Sequence, residues 1–281
     1  MTGERVCAVV VDYHAEDALG ACVDSLHANG VATVVVVENG EAGSSPPALE
    51  GRDVTLVEPG LNLGYGGGVN RGVAMAPPST YLVVSNPDVV AHDGAVAALA
   101  AFLDAHPDVA VAGPRIERPD GSVYPSQRVF PNVWLAGAHA LLAPLWPGNP
   151  ATAAYRSARP DGSVDWVSGA FFLIRRDVFE QVGGFDERYF MFAEEMALCW
   201  AVREHGYGVA AVGDAVVTHV EGLSRQRAPR DMVVAHHRSA LRFEWQTARG
   251  VRRLLAPLAT LVLGLRLVLI LALRTRRGDD A

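Results

Sequence analysis

The chain has 281 residues, 50% of them hydrophobic, with a formal net charge of -7 and an isoelectric point near 5.7. This apolar content excludes a disordered chain and can fill the core of one large α/β domain with an appendage, or of two small domains. The acidic balance argues against a general nucleic-acid binder, which would need a basic surface to neutralise phosphates.

The three cysteines indicate the compartment in which the chain folds. Cys7, Cys22 and Cys199 lie far apart and lack the paired spacing of a zinc site or a disulfide framework. This pattern indicates a reducing compartment.

The N-terminal residues run directly into a strand-like segment and lack the apolar core and cleavage site of a signal peptide. We therefore expect the folded domain to stay in the cytoplasm.

Strand and helix patterns alternate through the first half of the chain. Runs of β-branched residues without polar alternation predict strands that are covered on both faces of a parallel sheet. Apolar residues at helical spacing predict the helices between them. The predicted strands are 6–11, 33–37, 54–57, 81–84 and 109–112, and the predicted helices are 18–28, 69–76 and 94–105. The pattern predicts a doubly wound α/β sheet that binds its ligand at the carboxyl ends of the strands.

The second half begins with an irregular stretch. Residues 117–159 contain six prolines and several aromatic residues, which we interpret as an excursion on the acceptor side. Regular patterns then resume. They predict a strand-like segment 164–175 interrupted at Ser168-Gly169, helices 176–182 and 193–205, and two short strands, 209–212 and 215–217.

Residues 62–72 are the most informative stretch, with the sequence Asn-Leu-Gly-Tyr-Gly-Gly-Gly-Val-Asn-Arg-Gly. Glycine lets backbone pass close to a ligand that a Cβ would exclude, so we predict a ligand loop. Asn62, Asn70 and Arg71 add side-chain donors that suit a diphosphate. The alternative is a purely structural turn.

A metal-binding carboxylate is predicted at the end of the fourth strand. Asp88 follows Asn86 and Pro87, where a diphosphate could lie, and hard oxygen ligands are what Mg²⁺ or Mn²⁺ requires. His219 could supply an imidazole to the same metal or to the diphosphate. The alternatives are an ordinary Asn-Pro-Asp turn and a structural histidine.

Two adjacent carboxylates stand at the start of a predicted helix. Glu194 and Glu195 point about 100° apart by helical geometry, so one could face a cleft as a general base while the other makes structural hydrogen bonds. The alternative is that both only complement the helix dipole.

The C-terminus differs from the preceding sequence. Residues 254–273 are nearly all apolar and are long enough to span a bilayer, but they include Pro257 and Arg266. Arginines flank this segment on both sides, which suits an anionic cytoplasmic leaflet. We expect interfacial membrane association, with a true span and a buried or oligomeric helical hairpin, such as one in a homodimer, as alternatives.

Taken in order, these segments resemble the inverting glycosyltransferases of family 2, which have a GT-A fold, and especially their bacterial rhamnosyltransferase-like branch. The resemblance covers about residues 5–226, and its specificity lies in the joint order of the motifs. Besides residues 62–72, the motifs are Val9-Val10-Val11-Asp12-Tyr13-His14, Val37-Glu38-Asn39-Gly40, Ser85-Asn86-Pro87-Asp88, Trp166-Val167-Ser168-Gly169-Ala170, Val182-Gly183-Gly184-Phe185-Asp186-Glu187, Phe190-Met191-Phe192-Ala193-Glu194-Glu195 and His219-Val220-Glu221-Gly222-Leu223-Ser224.

The resemblance implies a role for each motif. It implies a nucleotide-diphosphate sugar donor in residues 1–115, an acceptor-binding and catalytic half in 116–226, and a separate helical region in 227–281. It also implies that Glu195, or else Glu194, deprotonates the acceptor, and that Asp88 is the metal-binding acid. His219 stays a candidate ligand of the same Mg²⁺ or Mn²⁺ because of its own chemistry. The implied donor-binding residues are Asp12, Glu38, Asn39, Asn62, Gly64, Gly67, Asn70, Arg71 and Asn86, and the implied acceptor-binding residues are Trp166, Ser168 and Gly169.

The chain departs from the family pattern at several positions. The family usually has aspartate at position 38, and aspartate or Glu-Asp at the Glu194-Glu195 pair, so an extra methylene shifts the reactive oxygen. Ala197 replaces an acidic residue, and His14 stands where a small amide is frequent.

The leading functional hypothesis is a rhamnosyltransferase at the cytoplasmic face of the cell membrane. It would use dTDP-L-rhamnose and a polyprenyl-diphosphate-linked acceptor to make a cell-envelope polysaccharide or glycolipid. Alternatives are a UDP-sugar donor on the same fold and a non-catalytic sugar-nucleotide or glycan-binding subunit. An NAD-dependent oxidoreductase is a weaker rival, because the glycine-rich segment follows the third strand and not the first.

Overall fold

The computed structural model describes residues 5–15, 17–40, 43, 46–130, 146, 148–150, 164–220 and 229–277, and the side chains of all these except 17, 229–230 and 273–277. Much of the predicted excursion 117–159 and the motif residues 221–224 therefore lie outside the described residues.

A nine-stranded mixed sheet forms the centre of the fold, with a separate two-stranded sheet beside it. The strands are β1 (Val6–Asp12), β2 (Thr33–Glu38), β3 (Thr55–Val57), β4 (Tyr81–Ser85), β5 (Val89–Ala91), β6 (Val109–Glu117), β7 (Val123–Tyr124), β8 (Gln127–Arg128), β9 (Trp166–Val167), β10 (Phe171–Arg175) and β11 (Gly208–His219). The main sheet has the order β3-β2-β1-β4-β10-β6-β11-β5, with β7 on β6, and β8 pairs with β9. Strands β1 to β4 are parallel, whereas β10 is antiparallel to both of its neighbours.

Helices cover both faces of this sheet and continue beyond it at the C-terminus. The helices are α1 (Asp17–Ala28), α2 (Gly64–Met75), α3 (Ala95–Ala105), α4 (Arg176–Gln181), α5 (Glu194–Glu204), α6 (Pro229–Thr247) and α7 (Val251–Arg277), and a 3₁₀ helix spans Pro47–Leu49.

The alternation of β1 shows why its sequence is apolar from Val6 to Val11. Cys7, Val9 and Val11 pack in the core beneath α2 and α5, while Ala8 and Val10 pack on the opposite face beneath α1 and α3. Both faces of the strand are thus removed from water, as expected for a strand in a parallel sheet. The predicted doubly wound α/β fold is confirmed.

The glycine-rich segment is not a loop, and this part of the prediction is wrong. Helix α2 begins at Gly64, not near residue 69, so the glycines from Gly64 to Gly72 lie in about its first two and a half turns. Glycine serves here for close packing. A Cβ on Gly72 would stand 2.5 Å from Val9 Cγ1, and one on Gly68 would stand 2.8 Å from Val11 Cγ1. These separations are shorter than any normal contact, so α2 lies closer to the sheet than other residues would allow.

Two further details differ from the predicted strands. The expected pair of strands before His219 is one strand, β11, whose pairing with β6 shifts register between Val212 and Val216. A bulge of this kind bends a strand without ending it, which explains why the sequence resembled two strands. Strand β5, directly after Asp88, was not predicted.

The C-terminal helices α6 and α7 form a hairpin. Arg252 Nη2 donates to Glu244 Oε2 at 2.6 Å, and Trp245 Nε1 donates to Thr260 Oγ1 at 3.0 Å. These contacts fix one face of α7 against α6. Within residues 251–272, an 18-residue window has a mean hydropathy of 2.4, which makes this segment a candidate membrane span by length and composition.

Candidate active site

Two buried carboxyl groups face each other at the carboxyl ends of β1 and β2. Asp12 and Glu38 are register partners on these parallel strands and are 2% and 3% exposed. Asp12 Oδ1 accepts the backbone N–H of Ala15 at 3.1 Å. Burial, and then the neighbouring Asp12 carboxyl, raise the pKa of Glu38 to about 8, and burial also raises the pKa of Asp12. The pair therefore retains a shared proton near neutral pH.

The predicted amides Asn39 and Asn62 hold the first turn of α2. Asn39 Nδ2 donates to Gly64 O at 3.0 Å and to Asn62 Oδ1 at 3.2 Å, while Leu63 N donates to Asn39 Oδ1 at 2.9 Å. Asn62 Oδ1 also accepts the N–H of Gly64 at 2.9 Å. These bonds connect the end of β2 to the start of α2, so the two amides shape the edge of the site.

Asn70 and Arg71 lie on α2 and differ in their surroundings. Asn70 Nδ2 donates to Phe185 O and Asn70 Oδ1 accepts Phe185 N, both at 2.9 Å. This amide therefore has a structural role, which the sequence interpretation did not include. Arg71 is exposed, and Gly67 is buried within the helix. Roles of these three residues in donor binding stay predictions.

The structure brings the predicted metal ligands together. His219 Nε2 lies 3.1 Å from Asp88 Oδ1, and both side chains are largely buried. The backbone supports this pairing, because Val220 N donates to Asp88 O at 3.0 Å. His219 Nδ1 is buried and has no hydrogen-bond partner among the described residues. Asn86 is half-buried, and its backbone N donates to Ala170 O at 2.8 Å.

A carboxylate and an imidazole form a donor set that suits Mg²⁺ or, better, Mn²⁺. Within the described ranges, no cluster of three or more histidine, cysteine, aspartate or glutamate residues could hold a metal ion. The described protein thus offers two ligands, and the oxygens of a bound diphosphate would have to complete the coordination.

The three predicted acceptor-binding residues lie in or after β9, with different exposure. Trp166 is 8% exposed, and its Nε1 donates to Val129 O at 3.1 Å, so it belongs largely to the core. Ser168 is half-buried. Gly169 lies against the carboxylate pair, because a Cβ there would stand 3.3 Å from Glu195 Cβ.

Glu194 and Glu195 begin α5, as the sequence predicted. Glu194 is 6% exposed, while Glu195 is half-buried. Burial, and then the charge of Glu195, raise the pKa of Glu194 well above its ordinary value, and burial raises the pKa of Glu195. One oxygen of each carboxyl group has no hydrogen-bond partner in the described part of the chain. Such carboxyl groups can accept a proton near neutral pH.

The backbone before this pair is strained. Phe192 and Ala193 have φ values of 66° and 63°, in the left-handed region that favours glycine. Each such residue costs about 1–3 kcal/mol and persists only where its surroundings hold it. We call residues 189–193 the catalytic loop, because this turn sets the direction in which the carboxylates leave the loop.

Sequence reasoning missed Tyr65 as part of the site. Its hydroxyl donates to Gly169 O at 2.6 Å and thereby connects α2 to the segment that packs on Glu195. A lone aromatic residue among four glycines was the only signal, and it did not identify the partner. The long-range contact depends on the folded arrangement of α2 and β10.

The sequence is similar to those of known glycosyltransferases. A family profile described as "Glycosyltransferase like family 2" matches residues 4–239. The chain is 39% identical over 226 residues to an N-acetylglucosaminyl-diphospho-decaprenol L-rhamnosyltransferase of Mycobacterium tuberculosis, covering 75% of this chain and 74% of that protein. It is 26% identical over 213 residues to a low-salt glycan biosynthesis hexosyltransferase of Haloferax volcanii, covering 74% of this chain and 65% of that protein.

Solved structures support the fold. A mannosyltransferase from Pyrobaculum calidifontis, in complex with GDP-mannose and Mn²⁺, superposes with a TM-score of 0.62 at 16% identity, covering 96% of this chain and 76% of that one. The structure of GalNAc-T7 with UDP, GalNAc and Mn²⁺ gives a TM-score of 0.60 at 13% identity, covering 86% of this chain and 52% of that one.

The carboxyl pair at positions 12 and 38 predicts a pH-dependent stability. Since folding raises the pKa of Glu38 to about 8, the folded state loses stability as the pH rises from the unfolded value near 4.5 towards 8. Glu38→Gln removes this loss, so its melting temperature should exceed that of the wild type by about 2 °C or more at pH 8, with a smaller gap at pH 5.

The exposed Glu50 provides the control for thermal melts across this pH range. Glu50→Gln removes one exposed carboxyl group and should leave the melting temperature at pH 8 near that of the wild type. A Glu38→Gln gap that stays constant from pH 5 to pH 8 would contradict the shared proton.

Proposed function

The chain belongs to glycosyltransferase family 2 and has the GT-A fold, and from this premise we propose that it is an inverting L-rhamnosyltransferase. Its donor is dTDP-L-rhamnose, and its acceptor is a polyprenyl-diphosphate-linked glycan of the cell envelope. The observation that carries the proposal is the sustained identity to the mycobacterial rhamnosyltransferase, whose name specifies a decaprenyl-diphosphate acceptor.

The donor occupies the edge formed by the carboxyl ends of β1, β2 and β4. The Asp12 and Glu38 pair lies near the nucleotide base, and Arg71 lies near the diphosphate. Asp88 and His219 would hold a divalent ion, which is supported by their 3.1 Å pairing and their chemistry. When bound, such an ion neutralises negative charge on the diphosphate.

Glu195 acts as the general base. It accepts the proton of the acceptor hydroxyl while the hydroxyl oxygen forms a bond to the anomeric carbon. The bond from that carbon to the diphosphate oxygen breaks with its electron pair, and the configuration inverts because attack comes from the opposite face. Glu195 is favoured over Glu194 because it is less buried and lies beside Gly169.

The hairpin of α6 and α7 lies on the membrane interface at the cytoplasmic face. Eight exposed apolar residues of α7 fall within about 120° of its circumference at 100° per residue. They are Val251, Leu254, Leu258, Leu261, Val262, Leu265, Val268 and Leu269. The opposite face packs on α6, which carries Arg238, Arg242 and Glu244. Crossing the bilayer would draw these charges into hydrocarbon, so an interfacial position is favoured over a span.

Donor binding tests the proposed reaction. In a thermal-shift screen, dTDP-rhamnose with Mn²⁺ or Mg²⁺ should raise the melting temperature of the full chain more than UDP-sugars or GDP-sugars do, because a ligand that binds only the folded state stabilises it. EDTA should remove most of this shift. Selective stabilisation by a UDP-sugar would show that the donor is a UDP-sugar and not dTDP-rhamnose. The absence of any response would favour a non-catalytic subunit.

Substitution of the base separates chemistry from binding. Glu195→Gln should lower kcat for rhamnose transfer by about 10²–10⁴-fold and leave the donor-induced thermal shift unchanged. Wild-type transfer should decline as the pH falls, because protonation of Glu195 removes the base. The decline should begin at a higher pH than for an ordinary glutamate, because burial raises the pKa of Glu195. Glu194→Gln is the comparison variant. Full transfer activity in Glu195→Gln together with a loss of activity in Glu194→Gln would identify Glu194 as the base.

Vesicle flotation tests the membrane surface. The protein should float with vesicles that contain phosphatidylglycerol, and Leu261→Glu/Leu265→Glu should abolish flotation while thermal melting stays unchanged, because these side chains are 58% and 63% exposed. Extraction by detergent alone would instead indicate a span. A stable dimer that does not float with vesicles would indicate that α7 packs on a second copy of the chain.

A further inference from the structure

The catalytic loop is held from two sides, and the first side is α2. Tyr65 N donates to Phe190 O at 3.1 Å. Gly64 has a φ of 74°, and a Cβ there would stand 2.2 Å from Phe190 O, so this contact requires glycine. The start of α2 thus fixes the middle of the loop but leaves the carbonyl of the next residue, Met191, to another partner.

The second side is α6, which comes after the last strand of the sheet in the chain. Ser239 Oγ donates to Met191 O at 2.7 Å, and Tyr189 OH donates to Gln246 Oε1 at 2.7 Å. Ser239 is 5% exposed and Tyr189 is fully buried, so each bond has one partner that is removed from water. Arg242 also lies over the Tyr189 ring, with 5.8 Å between Cζ and the ring centroid.

These α6 contacts come from one face of the helix. At 100° per residue, positions 239, 243 and 246 fall within about 60° of one another. Phe243 on this face packs edge-on against Trp200 of α5, with ring centroids 6.1 Å apart. Helix α6 therefore touches both the loop before the carboxylates and the helix that carries them.

The Met191 carbonyl directly precedes the two strained residues. Phe192 and Ala193 take positive φ values without being glycine, and such a turn relaxes when the contacts around it are removed. The Ser239 hydroxyl anchors the turn on one side and the Gly64 contact anchors it on the other. Relaxation of the turn would rotate the Glu194 and Glu195 side chains relative to Gly169.

We propose that Ser239 is a positioning residue for the reaction, whose hydroxyl holds the Met191 carbonyl and thereby aims the catalytic carboxylate at the acceptor. This inference rests on the proposed function for its catalytic consequence. It assigns the C-terminal hairpin a role in the chemistry in addition to membrane contact.

The test compares Ser239→Ala with Ser239→Thr, which retains the hydroxyl. Ser239→Ala should lower kcat by about tenfold, the loss expected for one buried hydrogen bond, and leave the donor KM and the donor-induced thermal shift unchanged. Ser239→Thr should recover most of kcat. Tyr189→Phe, which removes the other bond to α6, should lower kcat in the same direction and serves as the second variant if Ser239→Ala does not fold.

Thr247 provides a matched control on the same helix. Its buried hydroxyl donates to Phe243 O at 2.7 Å, within α6, and does not touch the loop. Thr247→Val should cost similar thermal stability and keep the wild-type kcat. Equal losses of kcat in Thr247→Val and Ser239→Ala would reduce Ser239 to a stabilising residue and overturn the proposal, as would wild-type kcat in Ser239→Ala.

Hydrogen–deuterium exchange measured by mass spectrometry gives a readout that does not need transfer. Ser239→Ala should speed exchange in the peptide that covers residues 189–196, and Thr247→Val should not. Unchanged exchange there would contradict the positioning role. A wild-type chain that neither binds donor nor transfers sugar would instead overturn the proposed function, so the two failures are distinguishable.

Discussion

The close packing of α2 on the sheet is the constraint on which the site depends. Gly68 and Gly72 bring the helix against Val9 and Val11 of β1, at separations where any side chain would collide. This approach sets the position of the helix start, where Gly64 meets the backbone of Phe190. The catalytic loop therefore takes its place from a helix–sheet distance that glycine alone permits.

Two long-range contacts of α2 follow from that distance. Tyr65 reaches the Gly169 carbonyl, and Asn70 pairs with both backbone groups of Phe185. Together they connect the proposed donor half of the chain to the half that carries the carboxylates. The glycine content of α2 suggested that this segment contacts a ligand directly. In the structure, the helix instead positions other parts of the site.

The electrostatics of the site arise mainly from the burial of its acidic groups. Burial is the main cause of the raised pKa at Glu38, Glu194 and Glu195. The neighbouring Asp12 carboxyl raises the pKa of Glu38 further, and the charge of Glu195 does the same to the pKa of Glu194. Burying acidic groups costs stability, and such a cost is typical of sites where function requires a proton acceptor.

The sequence by itself determined the doubly wound α/β fold, because β-branched runs and helical spacing report burial directly. It also predicted that Asp88, His219 and the Glu194-Glu195 pair follow strand ends or begin a helix. Only the tertiary structure decided that the glycines form a helix, that Asn70 pairs with the backbone of Phe185, and that Ser239 reaches the catalytic loop. Local patterns record how each segment is covered, whereas these contacts join residues 48 to 115 positions apart and depend on how the elements pack.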